Sequence, residues 1–253
     1  MKIIILIKQV PEPEEDTLKF DENGNLVREN VKLALNKADE YAIENALILK
    51  EKFNFKTIAI TMGPPQAQEI IRYSLSKGID EGYIISDFLL KGADAYITAI
   101  TIADSIIDLF DDKTIIFTGE KSEDGDTGIV PSMIAEHLKI PSVVGAETVE
   151  FENEVIIIKR KTDDETQKIS IKIPCLISFS ISSLKLRTPS IKYKIKSKSY
   201  IIKNIFKGKY SGQMSPTYIK EIRKTEIKTS KNTEVIDIKD EEKLLQLKKM
   251  IYE

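Results

Sequence analysis

The residues best suited to chemistry lie in one glycine- and aspartate-rich segment, GEKSEDGDTGIVPS at residues 119–132, called here the phosphate loop. An apolar run that predicts a strand precedes it, and a pattern that predicts a helix follows it. Free N–H groups at a helix start favour a phosphate, and Gly125 and Gly128 allow close approach of the backbone. Thr127 adds a hydroxyl donor. The segment predicts phosphate binding, while a surface turn with Asp126 or Thr127 as the helix N-cap remains open.

Other reactive residue types are scarce, because the chain has one cysteine and one histidine. An intrachain disulfide and a multi-histidine metal site are therefore excluded, and no metal site is predicted. Cys175 lies in an apolar run and is predicted to be an inert core thiol. His137 falls near the end of a predicted helix, where a surface position is favoured over a role as a base.

Composition excludes several classes of partner. The 253 residues are 42% apolar and 31% charged, and 40 acidic against 38 basic side chains leave a formal charge of −2. No global basic field would attract nucleic acid or anionic lipid. No apolar run approaches the ~20 residues of a membrane span, and the opening residues lack the apolar core of a signal peptide. The sequence therefore predicts a cytoplasmic protein without membrane insertion.

Strands that alternate with helices must position the phosphate loop. Strands are predicted at residues 3–7, 57–62, 83–86 and 114–118, and helices after Asn36 and at residues 66–77, 94–109 and 130–138. Asn36 is predicted to cap its helix. Further strands are predicted at residues 143–149, 155–160, 168–173 and 175–180, and Asn23-Gly24 predicts a tight turn between two extended pieces at residues 19–27. The pattern predicts an α/β fold with a parallel sheet covered on both faces.

The chain beyond residue 182 has no clear periodicity. It is interpreted as an extended, lysine-rich arm to about residue 233, followed by an amphipathic helix at residues 240–252 with Leu244, Leu247 and Ile251 on one face. A solvated tail and an arm that wraps a partner are the two interpretations. The apolar content favours the second. The apolar residues in question are Ile191, Ile195, Ile201, Ile202, Ile205 and Phe206.

The order and spacing of several short motifs, taken together, resemble those of electron transfer flavoprotein β subunits over essentially the whole chain. The motifs are KQVPEPEEDTLKFDENGNLVRE at residues 8–29, NKAD at 36–39, TMGPPQA at 61–67, GAD at 92–94 with Thr98-Ala99, DGDT at 124–127, Ile140-Pro141, LRTPSI at 186–191 before the lysines of 194–198, and Gly212 with SPT at 215–217. No single motif is specific alone.

The resemblance implies a Rossmann-like parallel-sheet sandwich of the adenine-nucleotide α-hydrolase type. It implies a nucleotide-binding domain at residues 1–182 and, at residues 183–253, an arm that wraps the α subunit of a heterodimer. In this family the β site holds AMP, or a second FAD in the branch that bifurcates electrons from NADH. FAD is the expectation here, with AMP as the alternative. The implied cofactor contacts are Ile7, Lys8, Asn36, Asp39, Met62, Lys121, Asp124, Gly125, Asp126, Thr127, Gly128, Ile129, Val130 and Ser132.

The same resemblance implies a surface that docks a partner dehydrogenase, of which acyl-CoA dehydrogenase is one candidate. Ile191 is the expected apolar anchor, and the expected polar partner contacts are Arg187, Lys194 and Lys196. The implied role is that of an electron carrier between NADH or dehydrogenases and acceptor flavoproteins or quinone, without catalytic residues of its own.

Three departures from the family pattern fall near the expected nucleotide. Lys37 stands where proline is usual, Glu120 and Lys121 replace a basic residue followed by glutamine, and Ile129 replaces glutamine. A carboxylate at position 120 is unfavourable beside a phosphate unless it points away, and Lys121 is expected to restore positive charge.

Two other classes of function compete with this interpretation. An ATP-using adenylating enzyme on this architecture needs a glycine-rich loop after the first strand, where residues 8–11 read KQVP, and no Gly-x-x-x-x-Gly-Lys loop occurs elsewhere. A nucleotide-sensing module without electron transfer remains the alternative, although such a module needs no long arm.

Overall fold

A largely parallel sheet organises the first of two compact units, residues 1–220; the second comprises residues 221–253. The computed structural model describes residues 1–12, 19–20, 26–27, 32–210, 212–213, 215–217, 243 and 245. The strands are β1 (Lys2–Leu6), β2 (Gln9–Pro11), β3 (Lys19–Phe20), β4 (Leu26–Val27), β5 (Leu33–Leu35), β6 (Lys56–Met62), β7 (Glu81–Ile85), β8 (Thr114–Gly119), β9 (Ser142–Glu152), β10 (Val155–Lys161), β11 (Thr166–Lys172), β12 (Cys175–Phe179) and β13 (Lys203–Asn204).

Five α-helices and three short 3₁₀ turns connect these strands in the part of the chain that the structure describes. The helices are α1 (Lys37–Phe53), α2 (Gln68–Lys77), α3 (Ala95–Ile106), α4 (Val130–Leu138) and α5 (Ile191–Lys198). The 3₁₀ turns are Pro65–Ala67, Phe88–Leu90 and Ile107–Leu109. Gly78 ends α2 with a φ of 117°, a conformation that favours glycine.

The sheet has the order β11-β10-β9-β12-β8-β1-β6-β7-β13 and is parallel except for the β9-β10-β11 meander. Successive side chains of a strand face opposite sides, so β1 contributes Ile3 and Ile5 to one core and Ile4 to the other. Helices α1 and α2 cover the first face, and α3 and α4 cover the second. The predicted α/β fold with both faces covered is confirmed.

The direction in which strands are added reverses between β1 and β8. The chain runs outward from β1 through β6 to β7, and α3 then returns it to β8 on the other side of β1. Ligands of open α/β sheets bind at the carboxyl ends of the strands on either side of such a reversal. Lys8 follows β1 there, and the phosphate loop follows β8.

The prediction of an extended arm is wrong for residues 191–198, which form α5. Ser190 caps this helix, which packs on α2. Downstream, β13 pairs with β7, and Ile202, Ile205 and Phe206 pack against the two cores of their own domain. Of the six apolar arm residues considered from the sequence, Ile191, Ile195 and Ile201 are exposed.

Several predictions fall wholly or partly outside the described residues. β3 and β4 pair antiparallel, which confirms two extended pieces around the Asn23-Gly24 turn, although the turn itself is not described. Lys243 and Leu245 are helical, and the rest of the predicted terminal helix is not described. Among the described residues, no helix is long and apolar enough to cross a membrane. The division at residues 182/183 stays a prediction.

Candidate functional site

A buried carboxylate joins the ends of the two central strands. Asp39, in the first turn of α1, accepts hydrogen bonds from the backbone N–H of Lys8 at 2.7 Å and of Gly119 at 2.9 Å. Asp39 is 4% exposed, and each oxygen takes one N–H group. The contact fixes the carboxyl ends of β1 and β8 relative to the N-terminus of α1.

Gly119 is required by this contact. A Cβ added at position 119 would lie 2.2 Å from Oδ1 of Asp39, 2.9 Å from its backbone nitrogen and 2.9 Å from Cβ of Ala38. Two of these atoms belong to a packed helix and cannot move far. The absence of a side chain at position 119 is therefore a condition for the Asp39 contact.

Burial raises the pKa of Asp39 to about 7, although hydrogen bonds from Asn36 and from the backbone of Lys8 and Gly119 lower it, as does the charge of Lys8. Removal of a carboxylate from water disfavours its charged form, and here that effect exceeds the stabilisation by the donors.

Side chains that follow β1 and precede α1 also hold the phosphate loop. The Lys8 ammonium donates to Oγ of Ser122 at 3.0 Å and forms an ion pair with Asp124 at 2.6 Å. The Asn36 amide donates to the carbonyl of Lys121 at 3.0 Å and accepts from the N–H of Glu123 at 3.2 Å. The loop is thus tied to two other elements of the site.

The prediction that Asn36 caps α1 is correct in position and wrong in contact. Asn36 is the N-cap residue, but its side chain makes no capping hydrogen bond. Its amide spans the gap to the phosphate loop instead, which satisfies two backbone groups of that loop.

The phosphate loop makes a tight turn before α4. Asp126 has a φ of 47°, its N–H donates to the carbonyl of Ser122 at 2.8 Å, and its carboxylate lies 2.7 Å from Nζ of Lys121. Gly128 has a φ of 65°. The N-cap of α4 is Ile129, without a side-chain cap, so the interpretation of Asp126 or Thr127 as the cap is wrong. A helix start without a side-chain cap suits an anion.

The side chain of Glu120 points away from the rest of the phosphate loop. Its carboxylate accepts a hydrogen bond from Oγ of Ser180, and its N–H donates to the carbonyl of Phe179 at the end of β12. The unfavourable placement of a carboxylate beside a phosphate is thereby avoided. Lys121, by contrast, is exposed and adds positive charge to the loop.

The structure brings most predicted contacts to one edge of the sheet. The side chain of Ile7 is in the core, so only its backbone faces this edge, whereas Met62 ends the neighbouring strand β6 and is half-buried. Thr127, Ile129 and Ser132 are exposed on the loop and the first turn of α4. The remaining predicted contacts follow β1, lie at the start of α1 or belong to the phosphate loop. They are Lys8, Asn36, Asp39, Lys121, Asp124, Gly125, Asp126, Gly128 and Val130.

A cavity of about 360 Å³ lies beyond Ser180, next to Glu120, and not over the phosphate loop. Its lining residues are Gly145, Glu147, Lys161, Thr162, Asp163, Ser180 and Ile181. The lining is of mixed charge, and the cavity is open to solvent. The hydrogen-bonded edge at β1 and β8 is the better candidate site.

The predicted partner contacts lie in a separate segment, residues 187–198, called here the docking segment, and all of them except Arg187 are on its exposed surface. Ile191 is 80% exposed on α5, and Lys194 and Lys196 are exposed beside it. Arg187 is directed at its own chain, where its guanidinium pairs with Glu44 and Glu51. Sequence reasoning missed both glutamates, because nothing in the local pattern marks partners that lie 143 and 136 residues away in the chain.

The two remaining candidates behave as predicted. Cys175 is fully buried, and burial raises the pKa of its thiol to about 12, as expected of an inert core residue. His137, near the end of α4, lies 3.2 Å from the carboxylate of Asp104 at the surface.

Replacement of Gly119 by alanine should break the Asp39 contact. We expect Gly119→Ala to destabilise the protein by about 1–3 kcal/mol, the usual cost of overpacking, in urea unfolding. Gly125→Ala is the matched control, since its Cβ would meet only Oγ of Ser122 at 3.3 Å and Nζ of Lys8 at 3.9 Å. Equal effects of the two substitutions would contradict the steric argument.

The raised pKa of Asp39 predicts a pH dependence of stability. Between an unfolded pKa of about 4 and the folded value of about 7, only the folded state binds the proton, so stability falls as pH rises. We expect the free energy of unfolding, relative to Asp39→Asn, to fall by about 2–3 kcal/mol from pH 5 to pH 8, since one unit corresponds to about 1.4 kcal/mol. Parallel pH profiles of the two proteins would show that Asp39 titrates normally.

Comparison with known proteins agrees with this architecture. Residues 23–199 match the electron transfer flavoprotein domain. The chain is 38% identical to the caffeyl-CoA reductase-Etf complex subunit CarD of Acetobacterium woodii, over 70% of this chain and 68% of that protein. It is 39% identical to the electron transfer flavoprotein subunit beta of Thermoanaerobacterium thermosaccharolyticum, over 76% and 73%, and 37% identical to that of Clostridium acetobutylicum, over 70% and 68%. The chain therefore belongs to the electron transfer flavoprotein family, with β subunits as its homologues.

Proposed function

We propose that this chain binds an adenine nucleotide between the carboxyl ends of β1 and β8 and works as the β subunit of a heterodimeric, cytoplasmic electron transfer flavoprotein. The observation that carries the proposal is the Asp39 contact, which assembles Lys8, the start of α1 and the phosphate loop at the sheet's switch point. The larger α subunit is the proposed partner.

The residues present fit a phosphate-bearing ligand. The start of α4 has no side-chain cap, Gly125 and Gly128 leave room for close approach, and Glu120 faces β12. Lys8 and Lys121 bring two cations to the loop. Both pair with loop carboxylates, so a phosphate would exchange those ion pairs for contacts to itself. Lys8, Lys121 and the backbone of residues 125–132 are the proposed phosphate contacts.

We further propose that the nucleotide is FAD rather than AMP. The support is resemblance: residues 187–191 and 212–217 are similar to members that take electrons from NADH. One relative, CarD of Acetobacterium woodii, is named as a subunit of a caffeyl-CoA reductase-Etf complex. A flavin in this site would supply hydride acceptance and one-electron transfer, while the chain's own residues would bind it, orient it and exclude water.

The exposed docking segment is the proposed contact with a partner dehydrogenase, for which an acyl-CoA dehydrogenase is the candidate. Ile191 projects from α5, and lysines alternate along the helix at positions 192, 194, 196 and 198. An apolar anchor surrounded by cations suits an acidic partner surface, because the charges steer the encounter and the anchor supplies affinity.

The identity of the nucleotide can be counted directly. The chain is purified with its α subunit, the complex is denatured, and released flavin and AMP are quantified by chromatography. We expect two FAD and no AMP per heterodimer. One FAD with one AMP would refute FAD in this site, and a chain that binds nucleotide without any flavin-bearing partner would indicate a sensing module instead.

Replacement of the anchor should slow electron transfer without loss of cofactor. We expect Ile191→Ala to weaken binding to the dehydrogenase by about 2 kcal/mol, the effect of truncating a binding anchor, with unchanged flavin content. The rate should also fall as salt rises. Ile201→Ala, at a residue that is equally exposed (79%) but outside the docking segment, is the control. Equal rates for Ile191→Ala and the unmodified protein would remove Ile191 from the docking surface.

A further inference from the structure

The start of the docking segment is held by a buried carboxylate of α1. Glu44 accepts from the backbone N–H of Arg187 at 3.0 Å, from its Nε at 3.0 and 3.1 Å, and from its Nη2 at 2.9 Å. Glu51, seven residues further along α1, accepts from Nη1 at 2.5 Å. Every nitrogen of the guanidinium therefore has a partner within its own chain.

Glu44 and Glu51 differ in their surroundings. The side chain of Glu44 is 7% exposed, whereas that of Glu51 is 63% exposed. Burial alone would lower the pKa of Arg187, but the hydrogen bonds to Glu51 and Glu44 carry that pKa above its ordinary value. The bond to Glu44 is screened little by solvent, and Glu44, unlike Glu51, also holds the backbone N–H of Arg187.

A second attachment lies just before Ile191. The N–H of Ser190 donates to the carbonyl of Ser76 at 3.0 Å, in the last turn of α2. The neighbouring Lys77 is 1% exposed in its side chain and pairs with Glu40 of α1 at 2.6 Å. Residues 187–190 are thus fixed at both ends to the α1–α2 layer, immediately before the exposed Ile191.

We propose that Glu44 is a positioning residue for partner docking: through Arg187 it fixes the path of residues 187–190 and so the place at which Ile191 is presented. The proposal rests on the proposed function of the docking segment. Glu44 itself is too buried to touch a partner, and the three guanidinium nitrogens of Arg187 are already bonded to Glu44 and Glu51. Arg187 therefore supports docking indirectly, because it holds the start of the docking segment in place. Ile191 and the lysines of α5 contact the partner.

The test compares Glu44→Gln with Glu51→Gln in the purified heterodimer. An amide at position 44 keeps the size of the side chain but opposes the guanidinium with an NH₂ group. Hydrogen exchange of the amides of residues 187–195 reports the positioning itself, independently of electron transfer. We expect this exchange to rise by about tenfold in Glu44→Gln, which corresponds to about 1.4 kcal/mol of local opening, and by less than about twofold in Glu51→Gln.

The functional readout is the KM for the dehydrogenase that the unmodified heterodimer serves. We expect Glu44→Gln to raise KM by about five- to tenfold, with kcat and cofactor content unchanged, because only the geometry of the docking surface is altered. In the double variant Glu44→Gln with Ile191→Ala, KM should be no higher than with Ile191→Ala alone, since both act through one contact.

The two measurements distinguish a failure of the positioning role of Glu44 from a failure of the proposed docking function. Unchanged hydrogen exchange in Glu44→Gln, equal effects of Glu44→Gln and Glu51→Gln, or additive effects in the double variant would overturn the positioning role. If exchange rises while neither Glu44→Gln nor Ile191→Ala alters KM, the docking surface of the proposed function is wrong, and the role of Glu44 in docking falls with it.

Discussion

The structure depends on the double hydrogen bond from the ends of β1 and β8 to Asp39. Parallel strands leave their last N–H groups without partners where the chain turns away, and a buried unpaired N–H costs about 1–3 kcal/mol. One carboxylate satisfies the groups of Lys8 and Gly119 together. The arrangement demands glycine at position 119 and a helix that begins at Lys37, and it raises the pKa of the carboxyl.

The helix that carries Asp39 also supports the docking segment. Glu40 pairs with Lys77 of α2, and Glu44 binds Arg187, five residues or about 7.5 Å along the helix axis from Asp39. One rigid element therefore borders both the candidate nucleotide site and the surface proposed to meet a dehydrogenase. Such charge-assisted hydrogen bonds contribute about 1.5–3 kcal/mol each, which is enough to hold a segment that lacks a core of its own.

The sequence predicts those features that follow from local pattern. The buried strands are visible because β-branched apolar runs such as residues 3–7 fit a sheet covered on both faces, and α4 was predicted with its observed bounds. Helix α5 was missed, because residues 191–198 show no clear helical period and the packing of α5 on α2 is a tertiary contact. The side chain of Asn36 was expected to cap α1, but the phosphate loop offers it two better partners. The Glu44–Arg187 bond joins positions 143 residues apart and has no local signal.

We propose that the nucleotide lies where Asp39 joins β1 to β8. The most direct test is a crystal structure of the heterodimer with its native cofactors. We expect an adenosine phosphate beside the carboxyl ends of β1 and β8, with its phosphate against the backbone of the phosphate loop and the start of α4. Asp39 should still be bonded to Lys8 and Gly119. A nucleotide in the cavity lined by Gly145, Lys161 and Ser180, or Asp39 turned away from both N–H groups, would contradict the account.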